Sequence, residues 1–250
     1  MKLFDGIRYV LLAVCITPYY TFSGPGLDEP SLLAQELSEE LGVTIQETSK
    51  ALTCLDRFDR KHTYEWDKGR KRYYEVMPKL IKDYNLKIGC EVGVMFGRHS
   101  AKILETTEVA TLYSVDLFSP EHLAHTFLAN CTSSIYADVL YARTKKLLSK
   151  WGTRSQLLRE SSHSAAKQFP DGYFDFVFID AGHTYESVKL DLESWYEKVR
   201  PGGFLVGDDY NKKMFLGLTK AVNEFFAAKN LHIKVPNPRI WVVQKPELIK

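Results

Sequence analysis

A doubly wound α/β sheet, mostly parallel and preceded by a helical extension, is the fold class the sequence predicts. Three observations carry that expectation. From residue 87 onward, short apolar runs alternate with stretches of helical period. That order lays helices over both faces of a parallel sheet. Two of the runs, Phe-Val-Phe-Ile at 176–179 and Phe-Leu-Val-Gly at 204–207, lack the apolar–polar alternation of a half-exposed strand; they suit strands covered on both sides. The first run passes into its helix through a turn holding Gly93 and Gly97, and glycine lets backbone bend sharply and approach a ligand closely.

Composition bounds the rest. Of 250 residues, 45% are hydrophobic and 26% charged, which fits a globular chain with one large domain or a core domain plus a small extension. The net charge is +2 with the signs well mixed, so no clustered basic face points to a nucleic-acid partner. The short run Asp67–Tyr74 reads as a solvated helix face. Cys15, Cys54, Cys90 and Cys131 show no CxxC spacing, which argues against a zinc or thioredoxin-like site and for a reduced, cytoplasmic chain.

Residues 9–22 carry no charge. The segment is too short for a comfortable membrane span, yet it has the outline of a signal peptide. Two readings stand open: a retained segment packed on the protein or on a membrane surface, and an exported or anchored chain. Three parts are expected: 1–23 as this apolar segment, 24–60 as a helical extension, and 61–250 as the main domain.

The elements follow in order. Two glycines and two prolines break the chain at 24–30. A helix is expected from Ser31 to a stop at Gly42. A second covers 43–58, with Thr44 and Glu47 as a capping box. With no basic recognition face, this pair reads as a helical cap or a homo-oligomer element rather than a DNA reader. A third helix is expected over 66–84. Then come strands at 87–94 and 111–118, a long helical region over 120–151, strands at 155–160 and 173–180, a helix at 184–199, a strand at 202–209, and a helix from 216. The last two strands, 232–235 and 240–245, have only Pro236–Arg239 between them, so they should pair antiparallel. His62, Tyr64 and Trp66 could lie over a ligand as an aromatic lid, or could simply pack.

The glycine turn suggests a nucleoside. Asp116 ends the second strand, nineteen residues past Gly97, where an acid in doubly wound folds bonds the ribose hydroxyls. The turn has two glycines rather than the three of the NAD fingerprint, and Glu91 beside it would repel phosphate. A nucleoside with a positively charged tail fits better; glycines that merely allow packing are the competing reading.

Here a resemblance becomes legible. The stretches EVGVMFGRHS, YSVDLF, YFDFVFIDAGHTYESVKLDLESW and VRPGGFLVGDDY, in this order, resemble the class I S-adenosylmethionine-dependent methyltransferases over about residues 60–250. The block around FIDAGHTYE is most similar to the metal-dependent O-methyltransferases of catechol and macrolide-sugar type. The resemblance implies a Rossmann-like seven-stranded sheet and S-adenosylmethionine as cofactor. It implies that Glu91, Gly93 and Gly97 line the methionine part, that Ser100 reaches its carboxylate, and that Asp116 holds the ribose. Ser161, Ser162 and His163, past the third strand, fall where the family contacts adenine, and Asp180 borders the same cofactor. A capping serine pair competes for Ser161 and Ser162.

Asp180 ends the fourth strand; Asp208 and Asp209 end the fifth. Neighbouring strands lie about 4.8 Å apart, and their carboxyl ends open on the ligand crevice. Three carboxylates there repel one another unless an oxygen-loving cation such as Mg²⁺ joins them; the alternative is that they cap loops and helices. The related families carry Asp-Asp-Asn or Asp-Glu-Asp, and this chain departs with three aspartates. His183 stands where the resemblance implies a general base that deprotonates the acceptor hydroxyl; a helix cap is the other reading. The expected partner is a small-molecule acceptor.

Overall fold

The computed structural model describes residues 31–67, 73–121, 133–211 and 213–247. The segment 1–23, with its two open readings, lies outside them, as do the side chains of His62, Tyr64 and Trp66. Among the described residues, no helix is long and apolar enough to cross a membrane.

Local chemistry sets the first two helices. The Ser31 hydroxyl accepts the Ala34 amide of helix α1 (Leu32–Leu41), and Gly42 ends it at φ 65°. Helix α2 (Ile45–Asp67) opens on the expected capping box. Glu47 N donates to Thr44 Oγ1 at 3.2 Å, and Thr44 N donates back to Glu47 Oε2 at 3.1 Å. It runs nine residues past the expected end, so the boundary at 60–61 falls inside a helix. Helix α3 (Tyr73–Asp83) therefore starts later than expected, and Trp66 and Asp67 belong to α2.

The strands are β1 (Ile88–Val92), β2 (Thr111–Asp116), β3 (Ser155–Arg159), β4 (Phe174–Ile179), β5 (Val199–Gly207), β6 (Lys234–Asn237) and β7 (Ile240–Gln244). Between them lie α4 (Arg98–Thr106), α5 (Ser134–Leu148), α6 (Ser162–Ala166), α7 (Tyr185–Trp195) and α8 (Leu216–Ala228). The helical region expected over 120–151 is α5 with a 3-10 turn after it; residues 122–132 lie outside the described set. The sheet order is β3-β2-β1-β4-β5-β7-β6. All pairs are parallel except β5–β7 and β7–β6. Strand β6 sits two residues later than expected. Pro236 and Asn237 join it, and the Asn237 side chain accepts the Arg239 amide to close a tighter turn.

Strand alternation sorts the core. Val177 and Ile179 of β4 face a cluster with Trp195, Phe226 and Trp241 under α7 and α8. Phe176 and Phe178 face the other side, with Met77, Ile103 and Leu112 under α3 and α4. A third cluster joins Ala34, Leu37, Ala51 and Leu55 of the extension to Ala137 and Leu140 of α5. The extension therefore shares its core with the main domain. Cys90 is buried and free, but Cys54 is disulfide-bonded. That corrects the expectation of a fully reduced chain: the absence of CxxC spacing says nothing about pairs made in space.

Candidate active site

The turn after β1 is built against the end of β4. Gly93 has φ 91°, and a Cβ there would lie 2.0 Å from the carbonyl oxygen of Asp180. Any side chain at 93 would collide with backbone, so contact between two chain segments already demands glycine. Gly97, at φ 71°, precedes α4.

Three acids tie this turn down. Asp116 Oδ2 accepts the amides of Val94 at 2.9 Å and Met95 at 2.8 Å, and its Oδ1 accepts Phe118 N at 3.0 Å. The acid expected at a ribose is thus also a splint joining the ends of β1 and β2. Glu91 is 2% exposed; it accepts the Ser100 hydroxyl and lies 3.1 Å from His99 Nδ1. Ser100 is fully buried and also lies 2.8 Å from Ser114 Oγ. The Ser100 hydroxyl, expected at a cofactor carboxylate, is held by Glu91 and Ser114. The third acid, Asp59, comes from α2 and holds Arg98.

The residues after β3 divide. The Ser162 hydroxyl donates to Asp191 and accepts Trp195 Nε1 at 2.8 Å. These bonds fasten α6 to α7 and engage the Ser162 hydroxyl inside the protein. Ser161 precedes α6 without a side-chain cap bond, and His163 is exposed. Burial pushes the Asp191 carboxyl up to about 6, against the Ser162 bond and nearby His163, which lower it.

At the carboxyl ends of β4 and β5, Asp180, His183 and Asp209 converge, with one ligand atom from each within 4.8 Å of the others. His183 Nε2 is 2.9 Å from Asp209 Oδ2. Its ring stacks on Phe215 at 4.1 Å and 17°. Asp208, expected as the third carboxylate of this group, instead turns to Arg239, whose Nη2 donates to both Asp208 Oδ2 and Asp209 Oδ1. The other Asp208 oxygen is buried and, among the described residues, meets no donor at full hydrogen-bond geometry. That residue lines a cavity of about 10 Å³ with Asp180, His183 and Trp241, room for about one water-sized occupant. Burial first, then Asp180 and Asp209, push the Asp208 carboxyl up to about 8, while Arg239 pulls it down.

The backbone here is held from several sides. Asp209 has φ 59°, an uncommon conformation for a residue with a Cβ. Tyr210 N donates to Arg239 O at 2.9 Å, and Asn211 N donates to Thr219 Oγ1 at 3.0 Å. Sequence reading missed Arg239. The β5–β7 register pairs Gly207 with Trp241, and continuing it two residues sets Arg239 opposite Asp209. The expected antiparallel pairing contained that signal, but only once the register was known. Phe215 gave no such sign.

The profile of the methyltransferase-domain family matches residues 86–210, half of the chain. The chain belongs to that family. It is an S-adenosylmethionine-dependent methyltransferase of class I, and the matched segment runs from the start of β1 to the Asp208–Tyr210 corner. The solved structures that share this fold include the following two. The O-methyltransferase NovP is 19% identical, with 71% of this chain and 80% of that one covered at a TM-score of 0.50. The SAH-bound methyltransferase PaMTH1 of Podospora anserina is 15% identical, with 90% of this chain and all of that one covered at 0.55. No curated protein matches the sequence.

Proposed function

We propose that this methyltransferase moves the methyl group of S-adenosylmethionine to a hydroxyl of a small molecule, assisted by a divalent cation such as Mg²⁺. The observation that carries the reading is adjacency. Asp180, His183 and Asp209 meet at the strand ends, and the Asp180 backbone is in contact with Gly93 of the turn. A methyl donor on the turn and an acceptor at the acids would therefore be neighbours.

The donor set fits a hard cation. Asp180 and Asp209 offer oxygens, and Asp208 adds a buried oxygen at the same cavity. When bound, the cofactor supplies an electrophilic methyl on its sulfonium and the cation lowers the pKa of the acceptor hydroxyl. The chain's own residues orient and move the proton. Gly93, Gly97 and Asp116 cradle the cofactor, with Glu91 and Ser100 fixing the turn through their mutual bond. Ser161 and His163 stand at the adenine side. Asp209, on Nε2 of His183, leaves Nδ1 as the nitrogen that takes the acceptor's proton, and Phe215 sets the ring plane.

A second reading dispenses with the cation. Arg239 already gives Asp208 and Asp209 a positive partner, so a His183–Asp209 pair could serve as base alone.

The test is methyl transfer to a panel of phenolic and sugar hydroxyls with Mg²⁺ or with chelator, beside Mn²⁺ binding followed by electron paramagnetic resonance. Asp180→Asn should lose Mn²⁺ affinity and turnover together. His183→Ala should keep SAH binding and lose about 10²–10⁴ in rate. Full wild-type activity in chelator would favour the second reading. An unchanged rate for His183→Ala would return that residue to a structural role at the start of α7.

A further inference from the structure

The family segment begins at residue 86, yet a residue of the extension grips the turn inside it. Asp59 of α2 is 3% exposed. Its Oδ1 accepts Arg98 Nε at 2.5 Å, and its Oδ2 accepts Arg98 Nη2 and Arg143 Nη2, each at 2.7 Å. Arg143 also pairs with Asp56 of α2 at 2.9 Å. Arg98 is the first residue of α4, directly after Gly97. The rest of the turn leans the same way. Met95 and Phe96 pack on the core shared by α1, α2 and α5, and Thr144 Oγ1 donates to Met95 O at 2.7 Å.

We propose that Asp59 is a positioning residue for the cofactor: through its two-toothed bond to Arg98, helix α2 sets the shape of the 93–97 turn and hence the affinity for S-adenosylmethionine. The proposal rests on the reading of that turn as the cofactor cradle. Its physics is a buried carboxylate, Asp59, shared by two partly exposed guanidinium groups. Among the described residues, Asp56 and Asp59 face Arg98 and Arg143. Neutralising Asp59, the buried member of the cluster, removes the carboxylate that both guanidinium groups share and weakens their hold on α2. The fork ties the Arg98 side chain, whose backbone opens α4 directly after Gly97, to α2. A fork-on-carboxylate bond also fixes direction, which a single point contact would not.

The experiment is calorimetric titration of the full-length protein with SAH, at a temperature where circular dichroism shows each variant folded. Asp59→Asn should weaken SAH binding about tenfold. Arg98→Lys, which keeps the charge and loses the fork, should weaken it less, and it serves as the reading if Asp59→Asn does not fold. Asp175→Asn is the control. Asp175 holds the opposite end of β1 through the Lys87 and Ile88 amides and Arg200, so its loss should lower the melting temperature and leave SAH affinity unchanged. Wild-type affinity in folded Asp59→Asn and Arg98→Lys would overturn the proposal, as would an equal weakening in Asp175→Asn. Asp116→Ala separates the two levels. If it binds SAH as tightly as wild type, the turn is not the cradle; if it binds weakly while the Asp59 and Arg98 variants do not, the role of Asp59 alone fails.

Discussion

Asp191 shows how a single buried group sets a measurable pH dependence. Burial raises its carboxyl from the usual 3.8 to about 6, so the folded protein holds that proton more tightly than the unfolded chain does. Between those values the native state binds more protons, and stability must fall as pH rises from about 4 to about 6. A shift of this size corresponds to on the order of 2–3 kcal/mol. Asp208, raised to about 8, acts with the same sign over a wider window. Asp191→Asn keeps a partner for the Ser162 hydroxyl and removes the ionisation. The wild-type melting temperature should drop relative to that of Asp191→Asn between pH 4 and pH 6; parallel melting curves across that window would refute the assignment. Residue types at strand ends were legible before the fold was known: Asp116, Asp180, Asp208 and Asp209 all lie where the strand pattern put them. Their partners were not. That Ser162 belongs to Asp191 and Trp195, or that Arg239 faces Asp208 and Asp209, depends on residues some thirty positions apart.

At the scale of elements, the β1–α4 turn is the most demanding joint. Gly93 serves two purposes with one requirement. Its φ of 91° suits glycine, and its missing Cβ lets the backbone of Asp180 pass. Gly93→Ala would have to push β1 and β4 apart at the mouth of the site, because the nearest atoms are backbone and cannot rotate away. A loss of roughly 2–4 kcal/mol is expected, with SAH binding impaired even in the fraction that folds. Denaturant titration beside SAH calorimetry checks both; a variant as stable as wild type would show that the turn relaxes freely. Strand order and the antiparallel hairpin were readable from the lengths of the connections. The end of α2 was not. Its last turns carry no breaker that marks a stop, and the helix runs on to Asp67.

For the whole molecule, the extension and the main domain share one apolar cluster. The cluster of Ala34, Leu37 and Leu55 is completed by Ala137 and Leu140 of α5, and Asp59 ties α2 to α4. Scanning calorimetry should therefore give a single transition with matching calorimetric and van't Hoff enthalpies. Two resolved transitions would mean that the extension is an independent unit. The sequence by itself determined the sheet class, the strand ends that carry acids, and the methyltransferase resemblance, because hydrophobic period, glycine position and short motifs are local properties of the chain. Only the tertiary structure decided which acids meet. It drew Asp180, His183 and Asp209 into one group and gave Asp208 to Arg239. It buried Ser100 against Glu91 and put an aspartate of α2 behind the glycine turn. Those pairings follow from strand register and from helix packing over long loops of chain, where distance along the sequence carries no information about distance in space.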